Sequence, residues 1–225
     1  VVTGVGTDVG KTHVAAALAL AWARVEPVLA YKPIESGVTE GVGPDEALLG
    51  RCSTFHVKHP LPQVRLPAPV SPHLAAREAG TAIDLPAVVR AVDALRGEAS
   101  VVLELPGGLF SPLTDCETNA DLAALLRPDV LLLVAPSRLG VLHDVRAVAE
   151  ACRARRLALD GVVLSAPARP DASSSTNAAE LARTSGLPVL AELPRASVEA
   201  LVASGTLGGL VRYCRGLALE PAPLE

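Results

Sequence analysis

The chain contains no methionine, and its 225 residues include only one Trp, two Tyr and two Phe. Any core must therefore be built from aliphatic side chains. Lysine is scarce as well: only Lys11, Lys32 and Lys58 stand among the 20 basic residues, and the rest are arginine. A chain that defaults to arginine is expected to keep lysine where a compact, flexible ammonium is needed. No apolar run reaches the length of a membrane span without a charge or proline, so no membrane is expected. Net charge is −4 and no Lys/Arg stripe stands out, which argues against a nucleic-acid partner. The start of the chain lacks the charged and apolar segments and cleavage site of a signal peptide. Cys52, Cys116, Cys152 and Cys214 are scattered with no C-x-x-C. Free thiols in a cytoplasmic protein fit that pattern better than a disulfide framework. Long-period repeats and low-complexity tracts are absent.

What is present is an alternation. Apolar runs of strand length fall at residues 1–3, 28–31, 101–105, 130–135, 161–165 and 189–192. Between them lie helical patterns at 11–23, 85–95, 119–126, 139–155 and 176–184. In the fourth of these, Leu139, Leu142, Val145, Val148, Ala149 and Cys152 recur at helical spacing. Val101–Leu103 and Val130–Val134 are apolar at consecutive positions, as in strands covered on both faces. The reading is α/β, with a mostly parallel central sheet flanked by helices on both faces. No linker is visible, so residues 1–225 are expected to form one domain. Two segments break the pattern. Residues 54–73 carry five prolines and no periodicity, and residues 166–175 read as a second irregular loop. Long loops of this kind are usually functional or disordered, and both could line a site at the carboxyl ends of the strands.

The strongest motif is Gly4-Val5-Gly6-Thr7-Asp8-Val9-Gly10-Lys11-Thr12, which follows a strand and opens a helix. Glycines let backbone N–H groups turn toward phosphate oxygens, and the helix N-terminus adds a favourable dipole. Lys11 can reach the outer phosphates of a nucleoside triphosphate, and the Thr12 hydroxyl can ligate Mg²⁺. The spacing is one residue longer than the common form, with Val5 where glycine would stand. Glu104, closing an apolar strand, is a candidate second metal ligand, with a solvent-facing glutamate as the alternative. Asp45, after Gly43-Pro44, is either a further ligand or a helix cap. Lys32 could be a surface charge from position alone, and Lys58 has only that reading. His56-Val-Lys-His59 reads as loop surface rather than a metal pair. Thr114-Asp115-Cys116-Glu117 is expected to begin a helix with capping acids.

Taken together, several motifs resemble the dethiobiotin synthetases, a P-loop NTPase family of biotin synthesis. They are Gly-Thr-Asp-Val-Gly-Lys-Thr (6–12), Tyr-Lys-Pro-Ile-Glu-Ser-Gly (31–37), Asp-Glu-Ala-Leu (45–48), and Ser-Pro-His (71–73) leading to Glu-Ala-Gly (78–80). Further along come Glu-Leu-Pro-Gly-Gly-Leu-Phe-Ser-Pro-Leu (104–113), Leu-Gly-Val-Leu-His (139–143) and Leu-Ala-Glu-Leu-Pro (190–194). The second and fifth are the discriminating ones. The resemblance implies a P-loop NTPase-like fold and an ATP-dependent cyclo-ligase. CO₂ (or bicarbonate) would be added to 7,8-diaminononanoate through a carbamate and a carbamic–phosphoric anhydride. It implies Lys11, Lys32 and Thr7 as catalytic residues. Nucleotide contacts would come from Asp8, Val9, Gly10, Lys11, Thr12, His13, Ser165, Glu192 and Pro194. Substrate contacts would come from Ser36, Gly107 and Gly108, and Mg²⁺ would be held by Thr12, Asp45 and Glu104. It also implies a homodimer, with the helix start around 140–143 of one subunit receiving the substrate carboxylate of the other.

The chain departs from the family at three points. Leu105 and Pro106 follow the metal glutamate where small residues are usual, and Pro106 has no N–H to donate. Ser165 stands where an asparagine reads the adenine, and its hydroxyl cannot make the two-point contact of an amide. Leu142 replaces a partner-subunit asparagine. Two other classes compete. One is a nucleotide-switched ATPase of the partitioning type, which would carry an early loop lysine where Gly6 stands. The other is a degenerate, non-catalytic nucleotide-binding relative. A related amide-forming synthetase is disfavoured because the chain has no room for a glutaminase domain.

Overall fold

The computed structural model describes residues 1–217. Strand β1 (Val2–Gly4) is central. On one side follow β6 (Leu132–Pro136), β7 (Gly161–Ser165) and β8 (Val189–Leu193), in that order. On the other side β5 (Ser100–Leu103) meets β1 through the parallel bridge Val2–Glu104, and the Leu105 N–H donates to Val2 O at 2.9 Å. Strand β2 (Val28–Tyr31) pairs with β5, and β3 (Ile34–Ser36) pairs separately with β4 (Val64–Leu66). Every strand pair among the described residues is parallel. The carboxyl ends of β1, β2, β5, β7 and β8 therefore point to one edge, where open α/β sheets bind ligands.

Helices cover both faces, which explains the consecutive apolar positions in the strands. In β6, Leu132 and Val134 pack toward α1 (Lys11–Trp22), α8 (Val198–Ala203) and α9 (Gly208–Cys214). Their neighbours Leu133 and Ala135 pack toward α6 (Val141–Arg155) and α7 (Asn177–Thr184). Further along, Leu29, Tyr31 and Leu103 meet α3 (Pro72–Ala79), α4 (Leu85–Asp93) and α5 (Asn119–Leu126). Helix α2 (Pro44–Cys52) joins the first cluster through Leu49 and Cys52. Side chains as fully buried as Leu133 each contribute roughly 1.5–3 kcal/mol relative to exposure. No helix among the described residues is long and apolar enough to cross a membrane. All four cysteines are free.

The six expected strands are present, with ends shifted by a residue or two, and the five expected helices likewise. The structure adds β3, β4, α2, α3, α8 and α9. Residues 54–73 are thus not wholly irregular: they hold β4, and Pro72 opens α3. Residues 114–117 form a turn rather than a helix start. Thr114 Oγ1 accepts from the Glu117 N–H at 3.0 Å, and α5 begins at Asn119 under a capping box of Thr118 and Asp121.

Candidate functional site

The loop between β1 and α1 is a phosphate cradle by its backbone. Helix α1 has no side-chain cap, and Gly10 precedes it at φ 90°, a conformation open to glycine. The first N–H groups of α1 are left for a ligand at the positive end of a helix that is otherwise buried. Lys11 is 6% exposed, and its ammonium donates to Gly6 O at 2.8 Å, curled back onto its own loop. Burial holds its pKa below the ordinary lysine value, although Glu104 pulls the other way.

Two strand ends and two helix starts converge beside it. Lys32, just past β2, reaches Glu104 Oε1 at 2.8 Å and the Asp45 carboxylate at the start of α2. Thr12 Oγ1 donates to the same Glu104 oxygen at 2.9 Å. Gln63 fixes the Lys32 backbone through a 2.6 Å bond to its carbonyl. One ammonium thus serves two carboxylates. Burial works against the Lys32 charge, but Glu104 and Asp45 outweigh it and hold the pKa above the ordinary value. Glu104 is fully buried, and that burial raises its carboxyl above the usual range despite Lys32 and Thr12. Its Oε2 is buried without a hydrogen-bond partner among the described residues. A hydroxyl and two carboxylates, one of them with an unpaired oxygen, form a hard oxygen donor set that suits Mg²⁺ sharing its shell with phosphate oxygens and water. Among the described residues no group of three or more His, Cys, Asp or Glu could hold a metal unaided.

Two adjoining cavities meet at Asp8, Gly10 and His13. The larger, about 780 Å³, brings together Thr7, Lys11, Thr12, Lys32, Ser36, Asp45, Glu104 and Gly107. The other, about 590 Å³, contains Val9, Ser165 and Pro194, with Pro136, Ala166, Pro167 and Ala168 forming much of the wall. All but two of the expected site residues therefore line one or the other. Glu192 is exposed on β8 and lines neither cavity. Gly108 also falls outside, and its N–H is already held by Ser111 Oγ at 3.0 Å. Ser165 Oγ donates to Val9 O at 2.8 Å, so its hydroxyl braces the phosphate loop. Ser36 Oγ is buried on the wall of the larger cavity without a partner among the described residues. His56, Lys58 and His59 are exposed, as expected of loop surface. Leu139 is 75% exposed beside the start of α6, and His143 is exposed on its first turn.

Two contributors escaped the sequence reading. Asn119 is fully buried, and its amide donates to Pro106 O and, at 2.8 Å, to Gly108 O, pinning the 106–108 loop under the cleft. Its position at a helix start carried no hint of that. Glu35 lies inside the second motif and yet faces α2, with its carboxylate on the backbone of Asp45 and Glu46.

A family model described as an AAA domain matches residues 1–199. The chain is 40% identical over 196 residues to the ATP-dependent dethiobiotin synthetase BioD of Anaeromyxobacter sp. (strain Fw109-5), covering 85% of this chain and 87% of the relative. To the protein of that description from Anaeromyxobacter dehalogenans (strain 2CP-1) it is 41% identical, covering 86% and 88%. To that of Nitrosospira multiformis it is 36% identical, covering 86% of each. Among solved structures it is similar to a ParA family ATPase from Chlorobium tepidum, with TM-score 0.55, 15% identity and coverage of 96% and 98%. It is also similar to the MinC:MinD cell division complex of Aquifex aeolicus, with TM-score 0.56, 16% identity and coverage of 99% and 96%. At such identities the structural likeness is one of fold.

Proposed function

We infer the chemistry from one premise: the chain belongs to the dethiobiotin synthetase family. Its reaction is the ATP-dependent cyclo-ligation that makes dethiobiotin. The finer reading is ours. CO₂ adds to one amine of 7,8-diaminononanoate and a proton leaves, giving a carbamate. A carbamate oxygen attacks the γ-phosphorus of ATP, and ADP departs. The second amine then attacks the carbonyl of the mixed anhydride, closing the cyclic urea and expelling phosphate with loss of a proton. Every step gathers negative charge at one point, so positioning and charge neutralisation carry the catalysis.

The observation that supports this assignment most directly is the shared cleft of Lys11, Lys32, Thr12, Asp45 and Glu104. Lys11, released from Gly6 O, neutralises the transferring phosphoryl oxygens. Lys32 faces the carbamate oxygens and the same phosphoryl group. Thr7 hydrogen-bonds beside them, and Ser36 spends its unpaired hydroxyl on substrate. The N–H groups of Asp8, Val9, Gly10, Lys11, Thr12 and His13 bind the nucleotide phosphates, and the cavity of Ser165 and Pro194 takes the base. Thr12, Asp45 and Glu104 would hold Mg²⁺, which would screen the phosphate charge. The unpaired Glu104 Oε2 supports that choice.

Residues 1–225 act as one domain in this reading, and the cytoplasm suits four free cysteines. A homodimer is part of this reading on the family resemblance, with Leu139, 75% exposed beside α6, placed at the contact. Incubation with the diamine, bicarbonate, Mg²⁺ and ATP should release phosphate only when the diamine is present, with dethiobiotin detected by mass. Phosphate release indifferent to the diamine would overturn the reading.

A further inference from the structure

Glu35 is 3% exposed, lies on β3, and has no place in the reaction as derived. A buried carboxylate away from water must be paired or hydrogen-bonded to keep its charge. Here both oxygens are spent on the backbone at the start of α2. Oε1 accepts from the Asp45 N–H and Oε2 from the Glu46 N–H, each at 3.0 Å. The helix has no cap of its own, because its N-cap position is Gly43. A Cβ at Gly43 would stand 2.2 Å from Glu35 Oε2, a distance no side chain tolerates. The cap is therefore delivered from a different element, and the backbone leaves room for it.

That origin has a geometric consequence. An ordinary capping side chain fixes a helix only to its own preceding turn. Glu35 instead ties α2 to the segment that carries Lys32, three residues earlier. Asp45 and Lys32, which form an ion pair, are thus both referenced to the chain between residues 32 and 36. The tie is doubled on the outer side, where Arg65, opposite Glu35 in the β3–β4 register, holds Glu46 through two bonds of 2.7 and 2.6 Å. Glu35 lines the larger cavity as well, with each carboxylate oxygen accepting one backbone N–H of α2.

From this geometry we propose that Glu35 is a positioning residue that holds Asp45 against Lys32 and toward the cation bound with the nucleotide. The proposal rests on the assignment of Asp45 to that cation. Groups that orient a ligand typically cost about 10–100-fold in metal affinity when removed.

The test is a titration of the full-length protein with Mn²⁺ and a non-hydrolysable ATP analogue, followed by electron paramagnetic resonance, with no diamine present. Glu35→Gln keeps the shape but turns an NH₂ toward one backbone N–H. Gly43→Ala keeps the carboxylate but displaces it. Both are expected to weaken Mn²⁺ binding by about 10-fold or more. In turnover assays both should raise the Mg²⁺ concentration for half-maximal rate, while KM for the diamine stays within about 2-fold. Glu35→Asp, too short to span both N–H groups but still charged, should fall between wild type and Glu35→Gln. Unchanged Mn²⁺ affinity in variants that melt like wild type would overturn the proposal. So would an equal rise in KM for the diamine, which would mark a general loosening of the cleft. If the wild-type protein makes no dethiobiotin, the family reaction fails while the Mn²⁺ titration still reads Glu35. Wild-type Mn²⁺ affinity insensitive to Asp45→Asn would overturn the assignment on which the proposal rests.

Discussion

The Lys32 ammonium lies 2.8 Å from Glu104 Oε1, and the two side chains are 7% and 0% exposed. Asp45 shares the same ammonium. A buried ion pair is weak evidence for stability, since desolvation consumes much of the attraction. Here one ammonium contacts two carboxylates, Lys11 lies near enough to feel both, and Glu104 Oε2 has no hydrogen-bond partner among the described residues.

Lys32→Ala should therefore separate catalysis from binding. Loss of a preorganised positive group facing developing charge costs about 10²–10³ in kcat. Nucleotide affinity, set by the loop N–H groups and Lys11, should stay within a few-fold. Equal losses of turnover and nucleotide affinity would place Lys32 in nucleotide binding instead. Breaking a buried pair can also destabilise by about 3–5 kcal/mol, so a melting curve should accompany the fluorescent-nucleotide titration and the phosphate-release assay.

Lys11 makes the opposite case for stability. Its ammonium donates to Gly6 O, and the nearby Glu104 offsets its burial only in part. Burial lowers its folded pKa below 10.5, so the charged form costs folding energy at any pH under the folded pKa. The cost fades as pH rises from the folded pKa toward 10.5. Lys11→Met should thus abolish nucleotide binding yet melt at or above the wild-type temperature without ligand. The gap should be widest near neutral pH and shrink in alkaline buffer. A clear drop in melting temperature for the variant would mean that the buried ammonium stabilises the loop.

These charges were largely legible in the chain, because a scarce lysine beside Gly10 and another in Tyr-Lys-Pro-Ile-Glu-Ser-Gly left few other roles. The strands were legible too, since two covered faces force consecutive apolar residues such as Leu132–Ala135. What escaped was of another kind. Strand β4 is three residues among prolines, too short for any period to show. Glu35 and Asn119 act on backbone groups far along the chain, and nothing in a side chain's identity reports which N–H or carbonyl it will meet. The family motifs assign the Gly108 N–H to substrate and Ser165 to the nucleotide, but nothing in their identity shows that Ser111 Oγ holds the one and Val9 O takes the hydrogen of the other.

Base selectivity should be weak. The cavity around Ser165 offers no side-chain amide, and the Ser165 hydroxyl is committed to Val9 O at 2.8 Å. Sites built to hydrogen-bond a substrate group reject analogues by about 10⁴–10⁵, whereas shape alone gives roughly 10–200-fold. We expect kcat/KM for ATP, GTP and CTP to lie within about 10-fold of each other. Ser165→Ala should raise KM for all three by a similar few-fold factor. Selective loss of ATP alone would show that Ser165 reads the base.

The start of α6 offers the last test. Asp171 accepts the Leu139 N–H at 2.7 Å, the Ser173 N–H at 2.8 Å and the Ser173 hydroxyl at 2.6 Å. The Ser173 hydroxyl and then the Leu139 N–H lower its carboxyl to about 2. A carboxylate with a lowered folded pKa lends its full contribution above the ordinary value and loses it as pH falls through about 2, so the tie is intact across the neutral range. It fastens the 166–175 loop, beside the base cavity, to the residue that leads into α6. If that helix start meets the diamine's carboxylate across a dimer, Asp171→Ala should raise KM for the diamine several-fold and leave KM for ATP nearly unchanged. Amide hydrogen exchange at Leu139 should quicken in the variant. A rise confined to KM for ATP would instead assign the tie to the nucleotide side of the cleft.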